Sequence, residues 1–194
     1  MKSKFIDGDD LVHLRRHMDN EAWLVFRLML ETGLRVGDAV SLKRKDVKPD
    51  GLHYVAQKTG KSGVAAITPG LRRALLARKA GWLFPGRKPG SHITRQAIWA
   101  RIKTACKRAS VDAEGVSPHA MRKVFAVELY REKGFEAVKA ALQHEHRDTS
   151  EIYAFADWNT GENAELPLRR RDIDLIVKMV LEAVGERLYA AKDP

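Results

Sequence analysis

The chain has a single cysteine, Cys106, in 194 residues. No internal disulfide can form, and a lone thiol suits a reducing cytoplasm, the expected location. No stretch approaches the roughly 18 consecutive apolar residues of a membrane-spanning helix, so no membrane partner is expected. The opening MKSKFIDGDD has no apolar block of the kind a secretory signal needs. Internal repeats and low-complexity tracts are missing as well. Aromatic residues are few at 7%, yet 44% apolar and 31% charged residues make an ordinary globular balance, which excludes disorder. A chain of this length buries roughly 70% of its unfolded surface, enough for a core without metal or crosslinks.

Two further signatures are incomplete. GKS at Gly60–Ser62 suggests a phosphate loop, but Val55 occupies the position where that loop needs its first glycine. The sequence after it, GVAAITP, reads as strand rather than helix. His13 and His17 have the spacing of a zinc pair, without the glutamate of H-E-x-x-H or a third ligand nearby. His144 and His146, two apart, would point to different sides of a helix. Neither a metal nor a nucleotide cofactor is expected.

What the chain does have is positive charge. Thirty-five Lys and Arg against 25 Asp and Glu give a net +10, which favours a polyanionic partner. Along the sequence, Asp7 is placed to cap a helix over 8–17, and NEAWLVFRLMLETG reads as a buried helix capped by Asn20 and stopped by Gly33. A short helix in VGDAVSLKRK follows. LHYVAQ and VAAITP are β-type runs around the turn KTGKSG. PGLRRALLARKA returns to helix, and WLFPGRKPGS is loop. ITRQAIWARIKTACKRA is a long helix with Ile93, Ala97, Ile98, Ile102 and Ala105 on one face. Ser117 and Pro118 start another helix, ending at Gly134, and FEAVKAALQH and TSEIYAFAD are two more helical stretches. The expected fold class is α+β, predominantly helical, with one small antiparallel sheet.

Several polar groups stand out. In SPHAMR, His119 and Arg122 share a face of a helix's first turn, where free N–H groups favour a phosphate. In ETGLRVGD, Arg35 follows a glycine helix stop, with Asp38 near enough to orient its planar fork. Lys58 and Lys61 lie on the hairpin QKTGKSG. LQHEHRDTSEIY contains His144 and Tyr153; a tyrosine is a poor nucleophile near pH 7 unless cations or a base favour its phenolate. Taken singly, each group also fits an ordinary surface or core role.

Their order is more specific. TGLRVGD, a lysine hairpin, HAMR, then LQH with a tyrosine nine residues after its histidine resembles the catalytic domain of the tyrosine recombinases, the phage-integrase family. The resemblance covers about residues 7–155. It implies that Arg35 and Arg122 clamp the scissile DNA phosphate and that Lys58, rather than Lys61, is the general acid on the 5′-oxygen. It further implies that His119 assists proton transfer with the nucleophile and that His144 donates to a non-bridging oxygen. Tyr153 would attack phosphorus to form a 3′-phosphotyrosyl bond, and Asp38 would buttress the first arginine. Two guanidiniums at fixed positions can stabilise charge on the equatorial oxygens. The phosphotyrosyl link conserves the bond energy, so the implied chemistry needs no cofactor. Gln143 replaces the usual glycine before the histidine, and Val124 stands where Ser or Thr often follows H-x-x-R; neither removes a catalytic group.

The resemblance implies site-specific DNA recombination on double-stranded DNA, by a homo-oligomer that is tetrameric when bound. A type IB topoisomerase-like relaxation activity and a non-catalytic DNA-binding regulator are the alternatives. Residues 1–165 are expected to form the catalytic domain. The pattern starts almost at Met1, and the N-terminal core-binding domain common in the family is absent from this sequence. That is expected either of an excised catalytic fragment or of a short member that acts without that domain; both imply lower DNA affinity. In 166–194, Ile173, Ile176, Val177, Val180, Leu181, Val184 and Leu188 form an apolar helical stripe, suited to packing in cis or to docking on a neighbouring protomer. Arg95, Gln96 and Arg101 on the long helix are candidate DNA contacts, as is Lys61.

Overall fold

A computed structural model describes residues 8–111, 116 and 118–142. Its helices are α1 (Gly8–His17), α2 (Asn20–Thr32), α3 (Val36–Val40), α4 (Pro69–Leu76), α5 (Arg95–Ala109) and α6 (Pro118–Leu142). A 3-10 turn at Arg44–Asp46 leads into β1 (Val47–Lys48), β2 (Gly51–Val55) and β3 (Ser62–Ala65). The strands form one antiparallel sheet in the order β1-β2-β3, with Leu52 opposite Val47 on one side and Ala65 on the other. The α+β, mostly helical expectation is met. Strand β1, two residues long, carries no alternation that a sequence pattern could reveal.

Helix α2 is the centre of the core. Every residue from Ala22 to Leu30 is buried, so the helix has no solvent face and packs against α6, α3, α4 and α5. Fully burying one of its Leu, Val, Phe or Met side chains stabilises by roughly 1.5–3 kcal/mol. Its cap is Asp19, not Asn20: the Asp19 carboxylate accepts from the N–H groups of Glu21 (3.1 Å) and Ala22 (2.9 Å). A full negative charge meets the positive helix end better than a neutral amide does, and Asn20 instead accepts from Arg15 (3.3 Å).

One polar cluster lies inside this helix's packing. Arg27 is 4% exposed and donates to Glu31 (2.8 Å) and to the Thr68 hydroxyl (3.1 Å). Glu31 also accepts from the Thr68 backbone N–H (2.9 Å), and Thr68 caps α4 through Leu71 (3.2 Å). The cluster therefore ties the chain that leaves β3 to the middle of the core.

Helix α5 begins at Arg95 with Thr94 as its cap, so Ile93 lies just before the helix, though buried with it. Gly134 interrupts α6 at φ 75°, ψ −176°, which fits the expected stop there and the separate helical stretch after it. The caps expected at Asp7 and Ser117, the helix expected in TSEIYAFAD and the stripe over 173–188 lie outside the described residues.

Gly33 ends α2 in the left-handed region, φ 65°, with its N–H donating to Met29 (2.9 Å). A Cβ there would lie 2.3 Å from the Phe125 ring on α6. Gly33→Ala should therefore lose about 1–2 kcal/mol to backbone strain and a further 1–3 kcal/mol to overpacking. A lowered midpoint in denaturant unfolding checks this; an unchanged midpoint would contradict it.

Candidate active site

The turn at Gly33 reverses the chain and presents Arg35 in extended geometry (φ −65°, ψ 147°) at the head of α3. Arg35 is half-buried and, among the described residues, its guanidinium has no hydrogen-bond or ion-pair partner. Arg122 differs. It is 6% exposed on α6 and donates to the carbonyls of Gly33 and of Leu142, the latter at 2.9 Å. Those carbonyls end two helices and lack intrahelical partners, so one guanidinium completes both.

The hairpin between β2 and β3 supplies the third cation. The last ladder pair is Val55 with Ser62, and the Ala56 N–H closes the turn on the Lys61 carbonyl (2.9 Å). Gly60, at φ 69°, allows the tight reversal. Lys58 is exposed at this tip and borders a cleft of about 440 Å³ together with Arg35, Asp38, Gln57, Arg95 and Arg122. Residues separated by up to 87 positions thus share one concavity lined by four cations and one acid.

Asp38 departs from its expected role as partner of Arg35. It is 4% exposed and its Oδ1 accepts the backbone N–H of Gln57 (2.9 Å); among the described residues it forms no ion pair with Arg35. Three residues along a helix carry its carboxylate inward to the hairpin, whereas Arg35 stands outside the first turn. Gln57 is the residue sequence reasoning missed. Its Nε2 also donates to the Gly37 carbonyl (3.3 Å), and only its position beside Lys58 could have signalled it.

Arg95, the first residue of α5, is exposed and belongs to the cleft, while Gln96 and Lys61 are exposed but do not line it. Arg101 does not share this setting. Its guanidinium is held by Glu21 (2.8 Å) and Asp19 (3.2 Å), so the charge expected to meet DNA is matched within the protein. His119 lies in the first turn of α6, one turn ahead of Arg122, with its side chain outside the described set. His144 and Tyr153 also lie outside the described residues. Among the described residues, no group of three His, Cys, Asp or Glu converges as a metal site would require.

A family model described as the phage integrase family matches residues 4–159. The chain belongs to that family. Among integrase-family relatives, it is 33% identical over 144 residues to a tyrosine recombinase XerC of Erythrobacter litoralis, covering 69% of this chain and 45% of that protein. It is 27% identical over 165 residues to a tyrosine recombinase XerD of Rhizobium meliloti, covering 78% and 50%. The chain thus spans about half the length of the curated relatives it matches. The catalytic domain of bacteriophage HP1 integrase superposes with a TM-score of 0.63 at 22% identity, over 84% of this chain and 97% of that one, a likeness of fold.

Replacing Arg122 by Lys leaves a point charge that cannot bridge both carbonyls. Arg122→Lys should cost about 1.5–3 kcal/mol of stability, the worth of a hydrogen bond to a charged group. Arg35→Ala, which removes no partner among the described residues, should stay within about 0.5 kcal/mol of the parent. Paired denaturant melts check the contrast, and equal losses would refute it.

Proposed function

We propose that the chain cleaves and rejoins DNA strands at a specific site through a 3′-phosphotyrosyl intermediate, as a site-specific recombinase. The observation that carries this reading is the cleft in which Arg35, Lys58 and Arg122 meet. A phosphodiester seated there meets two guanidiniums on its non-bridging oxygens, one of which, Arg122, is held by backbone carbonyls before the reaction begins. Preorganised charge of this kind lowers the barrier without reorganising during the step.

In the proposed step the Tyr153 oxygen attacks phosphorus and its proton passes to His119. The bond from phosphorus to the 5′-oxygen breaks, and that oxygen takes a proton from the Lys58 ammonium. His144 donates to a non-bridging oxygen. Rejoining runs the same transfers backwards. Arg95, which lines the same cleft, meets a neighbouring phosphate in this reading, with Gln96 and Lys61 further out along the duplex. Residues 1–165 act as the catalytic unit, and 166–194 dock on a neighbouring protomer in a tetramer on DNA.

Incubation with a pool of nicked suicide duplexes of randomised sequence, followed by isolation and sequencing of detergent-resistant adducts, tests the reading. Adducts concentrated on one sequence support a recombinase, whereas adducts spread over all sequences favour simple relaxation. Tyr153→Phe should abolish adducts while largely preserving binding; adduct persisting in that variant would exclude Tyr153 as nucleophile. Affinity should also fall steeply with salt, and Arg95→Ala should reduce the log–log slope by about one. A salt-independent affinity would argue against DNA as partner.

A further inference from the structure

We propose that Asp38 and Gln57 form a clasp that positions Lys58, so that Asp38 serves the leaving-group side of the reaction rather than the Arg35 side. The proposal rests on the reading of Lys58 as the proton donor to the 5′-oxygen. Three observations carry it.

The first is the environment of Asp38. A carboxylate that is 4% exposed is costly unless hydrogen-bonded, and its protein partner among the described residues is the Gln57 N–H at 2.9 Å. A bond from a backbone donor to a charged acceptor is among the stronger ones, and burial strengthens it.

The second is the way the hairpin ends. Ladder pairing stops at Val55 and Ser62, and the turn beyond is closed on itself through Ala56, with bonds from Thr59 (3.2 Å), Gly60 (2.7 Å) and to Lys61 (2.9 Å). Those bonds shape the turn but do not say where it sits relative to the arginines. Two bonds that do so come from α3: its Asp38 carboxylate accepts the Gln57 N–H, and its Gly37 carbonyl accepts from Gln57 Nε2 at 3.3 Å.

The third is the fit at Gly37. A Cβ there would stand 3.3 Å from Gln57 Oε1 and 3.4 Å from Arg95 Cδ, so hairpin and α5 both close onto this one backbone position.

Helix α3 is only five residues long. It carries Arg35 at its head and grips the residue before Lys58 within its first turn. The separation between phosphate clamp and proton donor is therefore set across a single helical turn.

A leaving group that needs no proton provides the test. In the normal substrate the phenolic oxygen–phosphorus bond forms, the P–O5′ bond breaks, and the electron pair on O5′ is neutralised by a proton from Lys58. With sulfur at the 5′-bridging position the pair departs on a thiolate, a far weaker base than an alkoxide because thiols ionise near pKa 8.5. Bond cleavage then needs no proton from the protein. The probe is the duplex recovered by covalent capture from the randomised pool, synthesised with oxygen or sulfur at that position, and single-turnover adduct formation is measured for the full chain.

Lys58→Ala should be slowed about 100-fold or more on oxygen, the usual scale of acid catalysis, and recover on sulfur. Asp38→Ala should show the same pattern with a smaller loss, about 10-fold or more on oxygen, because a misplaced acid still donates part of the time. Asp38→Asn, whose amide oxygen still accepts the Gln57 N–H, should stay close to the parent on both substrates. Asp38→Leu, similar in shape and lacking the acceptor, repeats the alanine test without leaving a cavity. Equal slowing of Asp38→Ala and Asp38→Leu on oxygen and sulfur, with Lys58→Ala rescued, would overturn the clasp and leave the Lys58 reading standing. Failure of sulfur to rescue Lys58→Ala would overturn the proton-donor reading, and the clasp with it.

Hydrogen exchange reads the clasp without DNA. Amides over 56–62 should exchange faster in Asp38→Leu than in the parent, while those of α2 stay unchanged. Unchanged exchange over 56–62 would also overturn the proposal.

Discussion

Much of the described structure depends on the Arg122 guanidinium between the carbonyls of Gly33 and Leu142. A charge this deeply buried persists only when its donors are matched, and removing its partners would leave it uncompensated. The matching carbonyls belong to the ends of α2 and α6, so one side chain reports the relative position of both helices. Phe125, one turn further along α6, fills the space that the missing Cβ of Gly33 leaves open. The arginine is thus placed by packing first and is available to chemistry second.

That ordering suits phosphate chemistry. The cleft gathers four cations around one acid whose charge is directed inward to Gln57. Such a concavity attracts an anion before any contact forms, and its low-dielectric walls strengthen the field. Arg35, half-buried and without a protein partner among the described residues, has its donors free for that anion. Arg122 contributes a fixed plane, and Lys58 a compact charge on a turn. Different degrees of constraint therefore meet at one place, each suited to the side chain that carries it.

The fold class was legible because its punctuation is local. Gly33 and Gly134 both adopt positive φ where a helix stops, a conformation that costs glycine least. The β2–β3 hairpin was legible for the same reason, through its glycines. Partner choice was not. Asp19 and Asn20 are both good caps, and only the observed bonds decide between them. Arg101 and Arg95 lie on one helix with similar surroundings in sequence. Yet α1 and α2 bring Asp19 and Glu21 to the first, while the hairpin and α3 bring the cleft to the second. Asp38 is the sharpest case: spacing placed it near Arg35, but a helix turn separates near in sequence from facing in space. Of the proposed catalytic set, Arg35, Lys58 and Arg122 come together in the cleft, whereas the side chains of His119, His144 and Tyr153 fall outside the described residues.

The cluster of Arg27, Glu31 and Thr68 has a mechanical consequence for the sheet. Thr68 follows β3 by three residues and is fastened to the core from both its hydroxyl and its N–H. The two strands are therefore held at both ends, at the root through Thr68 and beyond Val55 where Gln57 meets α3.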